Sequence, residues 1–179
     1  MANMPVYDLL GGKVREGAAV YTHADGRDPQ EVLDNVRKFQ EQGYHYIRIQ
    51  MGGYGGKRAD ARKPEGAPDG AYYDPRAYTH NMLKMMEYVR GHVGNEVELL
   101  HDVHERLSPI DTVKFAKDVE QFNLFFLEDS LAPEDIEWFR HVRKVCATPI
   151  AMGELFNNPR EWRLMIEERL IDFIRMHVS

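Results

Sequence analysis

Short apolar segments alternate with amphipathic segments along this chain, and that alternation limits its fold more than any other feature. Apolar residues recur every three or four positions between the short segments, as in Val32, Leu33, Val36 and Phe39, which is the spacing of one helix face. The short segments themselves are rich in β-branched and aromatic residues, and we predict strands at residues 18–23, 44–50, 97–102, 124–128, 149–154 and 171–178. Strand followed by helix, repeated, predicts parallel strands joined by helical crossovers.

Proline marks the expected start of five helices. It suits the first helical turn because its φ is already helical and its missing N–H has no partner there anyway. Most of these prolines follow or lie near a residue that caps helices. The five pairs are Asp28-Pro29, Asp74-Pro75, Ser108-Pro109, Ala132-Pro133 and Asn158-Pro159.

Six parallel strands fit either a part of an eight-stranded (β/α) barrel or an open doubly wound sheet. A complete barrel needs about 250 residues, and this chain has 179. No G-x-G-x-x-G pattern follows the first strand, which disfavours a dinucleotide-binding open sheet. We therefore expect the sequence to be a piece of a longer chain. The stretch 51–74, rich in Gly, Pro and basic residues, is predicted to be a long loop at the site.

Three carboxylates end three consecutive predicted strands. Asp102, Glu128 and Glu154 are spaced 26 residues apart, one strand–helix unit each, so they are expected to meet at one rim. Carboxylates that converge repel one another unless a cation neutralises them, and oxygen-only ligands favour Mg²⁺. The alternative is that these acids cap the following helices or lie in solvent, which is less plausible for three in register than for one.

His104 lies two residues beyond Asp102, so a continued strand would place both side chains on one face. An imidazole beside a metal is a candidate proton carrier near neutral pH. A single histidine is more often structural than catalytic. The catalytic interpretation of His104 depends on its position beside Asp102.

Composition excludes several classes of function. A net charge of −6 disfavours nucleic acid and anionic membranes as partners, and no apolar run is long enough to span a bilayer. Cys146 is the single cysteine, so a disulfide within the chain and a cysteine-based zinc site are ruled out. We expect a cytoplasmic location and a homo-oligomer.

Several segments together resemble one family. They read His101-Asp102-Val103-His104-Glu105-Arg106-Leu107-Ser108-Pro109, then Phe125-Phe126-Leu127-Glu128-Asp129, then Gly153-Glu154-Leu155-Phe156-Asn157. This order is similar to that of the D-mannonate dehydratase group of the enolase superfamily. The resemblance implies a modified (β/α) TIM-type barrel preceded by an α+β capping domain. Residues 1–13 would then be the link from the capping domain, and 14–179 a partial barrel that holds strands one to six, with most of the capping domain missing.

The resemblance also implies roles for particular residues. It makes Asp102, Glu128 and Glu154 the metal ligands, and His104 a catalytic residue. Arg48 matches an arginine that pairs with a catalytic tyrosine, which is Tyr54 here if the loop folds differently, because the family's best-known members place that tyrosine later. His23, Gln50 and Arg175 match positions at the substrate.

The implied activity is Mg²⁺-dependent dehydration of a sugar acid, D-mannonate-like, through an enediolate to a 2-keto-3-deoxy sugar acid. The loop after the second strand differs from that of the family's best-known members, because its tyrosine comes earlier. Since this loop helps to select the substrate, the difference weakens the assignment of mannonate as the substrate. Alternatives are another sugar acid such as D-gluconate, another enolase-superfamily reaction such as racemisation, a relative that binds or senses its ligand with negligible turnover, and a plain open-sheet binding module. The Lys57, Arg58, Arg62 and Lys63 group in the loop is read as a solvated lid that could attract an acidic substrate.

Overall fold

Six strands form one parallel sheet in the order in which they occur in the chain. The computed structural model describes residues 3–52, 65–68 and 73–176. The strands are β1 (Tyr21–Gly26), β2 (Tyr46–Met51), β3 (Glu98–Asp102), β4 (Phe126–Glu128), β5 (Ile150–Met152) and β6 (Phe173–Ile174). An open doubly wound sheet reverses its strand order at one point, and this sheet does not. The sequential order confirms the arc of a (β/α) barrel.

Helices connect successive strands, as the sequence predicts. They are α1 (Val6–Leu9), α2 (Pro29–Glu41), α3 (Pro75–Val93), α4 (Pro109–Asp118), α5 (Ile136–Val145) and α6 (Pro159–Glu167), with a 3₁₀ helix at Val119–Phe122. Four helices begin at the predicted prolines, each capped by the preceding Asp, Ser or Asn side chain. None of the helices in the described ranges is both long and apolar enough to cross a membrane.

The predicted start of α5 at Pro133 is wrong. The N–H of Asp135 donates to the carbonyl of Ala132 at 3.0 Å, so Pro133 lies in a turn, and the helix begins at Ile136. Ala132 has no side-chain acceptor with which to cap a helix. The nearby Ser130 is buried and its backbone carbonyl accepts a hydrogen bond from the Thr112 hydroxyl at 2.9 Å, which ties this turn to α4 instead.

β1 begins and ends three residues later than predicted. The apolar Ala18-Ala19-Val20 run suggested the strand, but Val20 is 64% exposed and lies before it. Pairing with β2 runs from Tyr21 opposite Tyr46 to Gly26 opposite Met51. A Cβ on Gly26 would lie 2.6 Å from the backbone nitrogen of Val32, so glycine is needed where α2 approaches the strand. The shift moves His23 from the predicted end of β1 to its middle.

Alternation along the strands divides the core into two layers. Side chains such as Ile47, Leu99 and Leu127 face the helices and form the main core with them. Leu100 and Phe126 face the other way and form a smaller cluster on the inner face of the sheet. The predicted boundary at residue 13 stays a prediction. Residues 53–64 and 69–72 of the predicted loop, and residues 177–179, lie outside the described residues.

Candidate active site

The predicted acids lie at or just beyond the carboxyl ends of neighbouring strands. Asp102 and Glu128 end β3 and β4 and stand directly opposite each other in the sheet register. Both are buried, whereas Glu154 lies two residues beyond β5 and is partly exposed. In (β/α) barrels this end of the strands carries the chemistry.

Asp129 is a fourth acid in the same place, and the sequence reasoning missed it. Strand alternation after Glu128 would turn the next side chain towards the helices. Asp129 instead has a φ of 40°, which ends the strand geometry, and its side chain stays at the rim with 2% exposure. The signal that was available is the adjacent acidic pair Glu128-Asp129 at the end of a buried strand.

Asp129 belongs to both groups of residues whose ligand atoms lie within 4.8 Å of one another. One group is Asp102, His104 and Asp129, and the other is Glu128, Asp129 and Glu154. The Asp129 backbone N–H donates to the carbonyl of Ala151 at 3.0 Å, and its carbonyl accepts from the N–H of Glu105 at 2.8 Å. These bonds fix its position between the turn after β3 and the strand β5.

The electrostatics of this cluster favour neutral acids or an added cation. Burial, with the nearby charges of Asp102 and Glu154, raises the pKa of Asp129 to about 7, although a hydrogen bond from the Gly153 N–H opposes the rise. Burial also raises the pKa of Glu105, with Glu134 adding to the shift. Perturbed groups that line one cavity are typical of functional sites.

Arg175 supplies positive charge to these acids. Its Nη1 pairs with Glu128 and lies 3.4 Å from an oxygen of Glu154 and 3.9 Å from one of Asp129. The Arg175 N–H donates to the carbonyl of Met152 at 2.9 Å, beside Gly153. Arg175, predicted to contact substrate, therefore lies among the predicted metal ligands, and its role stays a prediction.

Arg48 and Gln50 on β2 both contact Asp102. Arg48 Nη1 lies 3.2 Å from Asp102 Oδ2, and its Nη2 lies 3.7 Å from Asp25 Oδ1. Gln50 Nε2 donates to the Asp102 carbonyl at 3.3 Å. Tyr54 lies outside the described residues, so its pairing with Arg48 stays a prediction.

His104 stands between two of the acids. Its Nδ1 lies 3.6 Å from Asp102 Oδ2 and 3.7 Å from Glu154 Oε1. His104 has a φ of 55°, so the strand geometry has ended there, yet the side chain still reaches the predicted metal ligands. Together with Glu105, Asp129, Glu154 and Leu155 it lines a cavity of about 70 Å³.

His23 lies on the same side of the sheet, opposite Arg48 in the register. Partial burial lowers its pKa, and the positive charge of Arg48 lowers it further. Its ring stacks on that of Tyr21, with centroids 5.4 Å apart. The structure thus brings His23, Gln50, Arg48 and Arg175 to the neighbourhood of the acids.

A second histidine, the buried His101 on β3, forms hydrogen bonds that hold β3 to neighbouring elements next to the site. Its Nδ1 lies 2.8 Å from the carbonyl of Ile49, which can only accept, so Nδ1 carries the proton. Its Nε2 therefore accepts from the Tyr78 hydroxyl at 2.9 Å. Full burial lowers the pKa of His101 to about 4, which keeps the ring neutral. These two hydrogen bonds of His101 link α3, β2 and β3 next to Asp102.

The residues present suit a hard divalent cation. The acids offer only oxygen, which Mg²⁺ prefers. Glu128 Oε1 pairs with Arg175, and its buried Oε2 has no hydrogen-bond partner among the described residues. Buried carboxylates are costly unless they are paired or coordinate a metal.

Fold and site together define a class: a (β/α) barrel protein with a carboxylate cluster at the carboxyl ends of its middle strands. A sequence model of the family described as "Enolase C-terminal domain-like" matches residues 31–179. The chain therefore belongs to this family, within the enolase superfamily, which confirms the superfamily that the sequence motifs suggested.

Two curated relatives that the chain resembles in sequence are named as dehydratases. The chain is 51% identical to a D-galactonate dehydratase family member of Enterocloster bolteae, over all of this chain and 45% of that protein. It is 40% identical to a D-mannonate dehydratase of Xanthomonas oryzae pv. oryzicola, over 98% of this chain and 44% of the relative. The chain spans about half the length of the curated relatives it matches.

A solved structure has the same fold. It is an enolase from Pantoea ananatis with bound D-gluconate and Mg, and it superposes with a TM-score of 0.88 at 45% identity. The match covers 99% of this chain and 47% of that one.

Proposed function

We propose that this protein is a Mg²⁺-dependent sugar-acid dehydratase, a hydro-lyase that converts a D-mannonate-like acid into a 2-keto-3-deoxy sugar acid. The observation that carries the proposal is the rim itself: the acids at or just beyond the ends of β3, β4 and β5 lie together, Asp102 and Glu128 are buried, and His104 lies within 3.7 Å of Asp102 and Glu154. The dehydratase names of its relatives support the reaction class.

Asp102, Glu128 and Glu154 would hold the Mg²⁺. A cation held by these residues would neutralise the carboxylate of a sugar acid and would stabilise the negative charge that develops when the neighbouring C–H loses its proton. The protein's part is to hold these acids at a rim where Asp102 and Glu128 are buried, because charge interactions of buried groups are stronger than in water. Arg48 and Gln50 fix Asp102 through the contacts described above.

Proton transfer is assigned to two side chains. The phenolate oxygen of Tyr54, stabilised by the positive charge of Arg48, takes the proton from C2 of the acid and becomes the neutral hydroxyl. His104 gives a proton to the 3-hydroxyl, so that the C3–O bond breaks, water leaves and a C2–C3 double bond forms. The resulting enol becomes the 2-keto-3-deoxy acid. His23, Gln50 and Arg175 are assigned to hold the substrate.

The substrate is tested with a panel of sugar acids. Purified protein is incubated with Mg²⁺ and D-mannonate, D-gluconate or D-galactonate, and the 2-keto-3-deoxy product is detected by mass spectrometry. The Pantoea ananatis structure favours D-gluconate as the second candidate. Product from any of these acids supports the dehydratase. Tight binding of an acid without product would instead favour a binding or sensing protein.

The role of His104 has its own test. His104→Asn removes the proton donor but keeps a polar side chain, and we expect turnover to fall at least about 10²-fold. Bound Mn²⁺, followed by electron paramagnetic resonance, should remain. The control is His141→Asn on the exposed side of α5. Activity equal to wild type in His104→Asn would remove His104 from the mechanism.

A further inference from the structure

Backbone pairing between β2 and β3 stops before the site begins. Its register ends with Arg48 opposite Leu100, although both strands continue beyond these residues. The neighbouring pairs go further, because β3 and β4 stay in register to Asp102 opposite Glu128, and β1 pairs with β2 up to the last residue of β2. In the described part of the chain, the carboxyl ends of β2 and β3 are therefore not joined by a backbone ladder.

Side chains join β2 to β3 where this ladder is missing. The Nδ1–H of His101 donates to the carbonyl of Ile49 at 2.8 Å. Gln50 Nε2 donates to the carbonyl of Asp102 at 3.3 Å, and Arg48 Nη1 lies 3.2 Å from Asp102 Oδ2. The next step of the parallel register would place Ile49 opposite His101. The imidazole of His101 thus makes the link that the backbone would otherwise make at this step.

Two helices hold the imidazole of His101, which is fully buried. Its Nε2 accepts from the hydroxyl of Tyr78 on α3 at 2.9 Å, and Tyr78 is itself only 2% exposed. The ring of Phe115 on α4 lies edge-on to the imidazole, with centroids 6.0 Å apart. Because packed rings and two hydrogen bonds fix the orientation of the imidazole, it holds the Ile49 carbonyl, and with it β2, at a fixed distance from β3.

We propose that His101 is a positioning residue that sets the place of Arg48 and Gln50 on β2 against the acidic end of β3. The inference rests on the proposed function, in which Arg48 stabilises the phenolate of Tyr54 and Gln50 holds the substrate. β3 stays paired with β4 up to the last residue of both strands. Loss of the His101 link would therefore move β2 relative to the acids without moving the acids of β3 and β4 relative to each other.

The test compares two amide variants that each keep one hydrogen bond of His101. The amide of His101→Asn lies near the position of Nδ1 and can still donate to the Ile49 carbonyl. The amide of His101→Gln lies near the position of Nε2, so it keeps the contact with the Tyr78 hydroxyl and loses that donation. Both variants place a neutral amide in the same buried position, so they are matched in polarity.

For each variant, kcat and KM are measured with the sugar acid that the wild type turns over, and Mn²⁺ affinity by electron paramagnetic resonance of the free ion. We expect His101→Gln to lower kcat at least about tenfold, because a displacement of about 1 Å near reacting groups can cost about 10²-fold. Its Mn²⁺ affinity should stay at the wild-type value, since the pairing of β3 with β4 remains. His101→Asn should keep most of the kcat.

Three outcomes of these measurements would overturn the inference. Equal losses of kcat in the two variants would show that His101 only fills space. A loss of Mn²⁺ affinity in proportion to kcat in His101→Gln would show that the acids themselves had moved. Wild-type kcat in His101→Gln would show that the bond to Ile49 has no part in the reaction.

A second measurement uses the wild-type protein, so it does not depend on the folding of a variant. Couplings between ring protons and ring nitrogens in NMR spectra show which imidazole nitrogen carries the proton. For His101, assigned through its contacts with the rings of Tyr78 and Phe115, we expect the neutral form protonated at Nδ1. A proton at Nε2 alone would mean that the ring does not donate to the Ile49 carbonyl, and would overturn the inference.

The NMR signal of the Arg48 guanidinium requires no substrate, so it separates failure of the inference from failure of the proposed function. Its Nε–H is buried and its Nη1 contacts Asp102, so the Nε–H signal should shift in His101→Gln and stay near its wild-type position in His101→Asn. An unchanged signal, or an equal shift, in both variants would overturn the inference even if turnover is present. A shift in His101→Gln alone, together with wild-type protein that turns over no sugar acid, would overturn the proposed function and keep the positioning of Arg48 by His101.

Discussion

The two ends of the sheet's inner face have the same alternating backbone but carry opposite kinds of side chain. At the amino end Phe126 packs against Tyr21, Phe125 and Phe173, with ring centroids 5.4 to 6.2 Å apart. Two residues further along β4, on the same face, Glu128 presents a buried carboxylate. The apolar end contributes stability, and the acidic end places charges where they cost stability without a counter-charge.

This difference shows how one strand serves two purposes. The amino end of β4 tolerates only side chains that pack, because it is surrounded by aromatic rings. The carboxyl end lies beside turns whose residues, such as His104 and Asp129, adopt positive φ and direct polar groups inwards. Chemistry and stability are therefore separated along the strand rather than between strands.

Glu128→Gln should give the largest effect and affect the acidic end alone. The amide has nearly the same shape but no charge, so we expect Mn²⁺ affinity and sugar-acid turnover to fall at least about 10²-fold. Stability should change little, since a buried carboxylate is removed while Arg175 keeps Glu154 and Asp129 nearby. Urea unfolding together with Mn²⁺ titration separates the two quantities. A large loss of stability would contradict the view that the amino end of β4 provides stability and the carboxyl end provides the functional charges.

Phe126→Ala should do the opposite at the apolar end. Removing a buried ring costs about 4 kcal/mol of unfolding free energy in typical cores. The protein that remains folded should bind Mn²⁺ with wild-type affinity, because the acids lie at the opposite, carboxyl end of the strands. If affinity falls in proportion to stability, the two ends are not independent.

Gly153→Ala tests the junction at which β5 and β6 hold Arg175. A Cβ at Gly153 would lie 1.9 Å from the carbonyl oxygen of Arg175, and the φ of 139° is one that side chains rarely adopt. We expect a loss of about 3 kcal/mol from overlap and backbone strain. Thermal unfolding measures it, and Gly43→Ala, where nothing lies within 4 Å of the added Cβ, separates the strain of a positive φ from the overlap.

His101 should make stability depend on pH. Its folded pKa of about 4 is below the unfolded value of 6.5, so the unfolded chain binds more protons between these values. Stability is therefore full above pH 6.5 and falls as the pH drops towards 4, by up to about 3 kcal/mol. In His101→Gln, the free energy of unfolding should no longer show the share of its pH dependence that His101 contributes between pH 4 and 6.5. An unchanged slope would assign the pH dependence to other groups.

Much of the architecture follows from local physical chemistry. Proline after a capping residue begins four helices where predicted, because the cap and the fixed φ both act within one turn. The acids at the ends of β3 and β4 follow from the same local pattern of an apolar strand that stops at a charged residue. The start of α5 was predicted wrongly at Pro133 because Ala132 cannot cap, and tertiary contacts of the 130–135 turn decided where the helix begins.

The sequence by itself determined the alternation of strands and helices and the superfamily. It also determined the three candidate metal ligands, Asp102, Glu128 and Glu154. Each of these depends on residue type and short-range spacing. Only the tertiary structure decided that β1 lies three residues later, because its pairing with β2 outweighs the apolar run before it. It also decided the places of Asp129 and Arg175. A positive φ and a bond to β5 turn Asp129 inwards, and Arg175 lies just beyond β6, 46 residues after Asp129 (175 − 129), so no local pattern contains either contact.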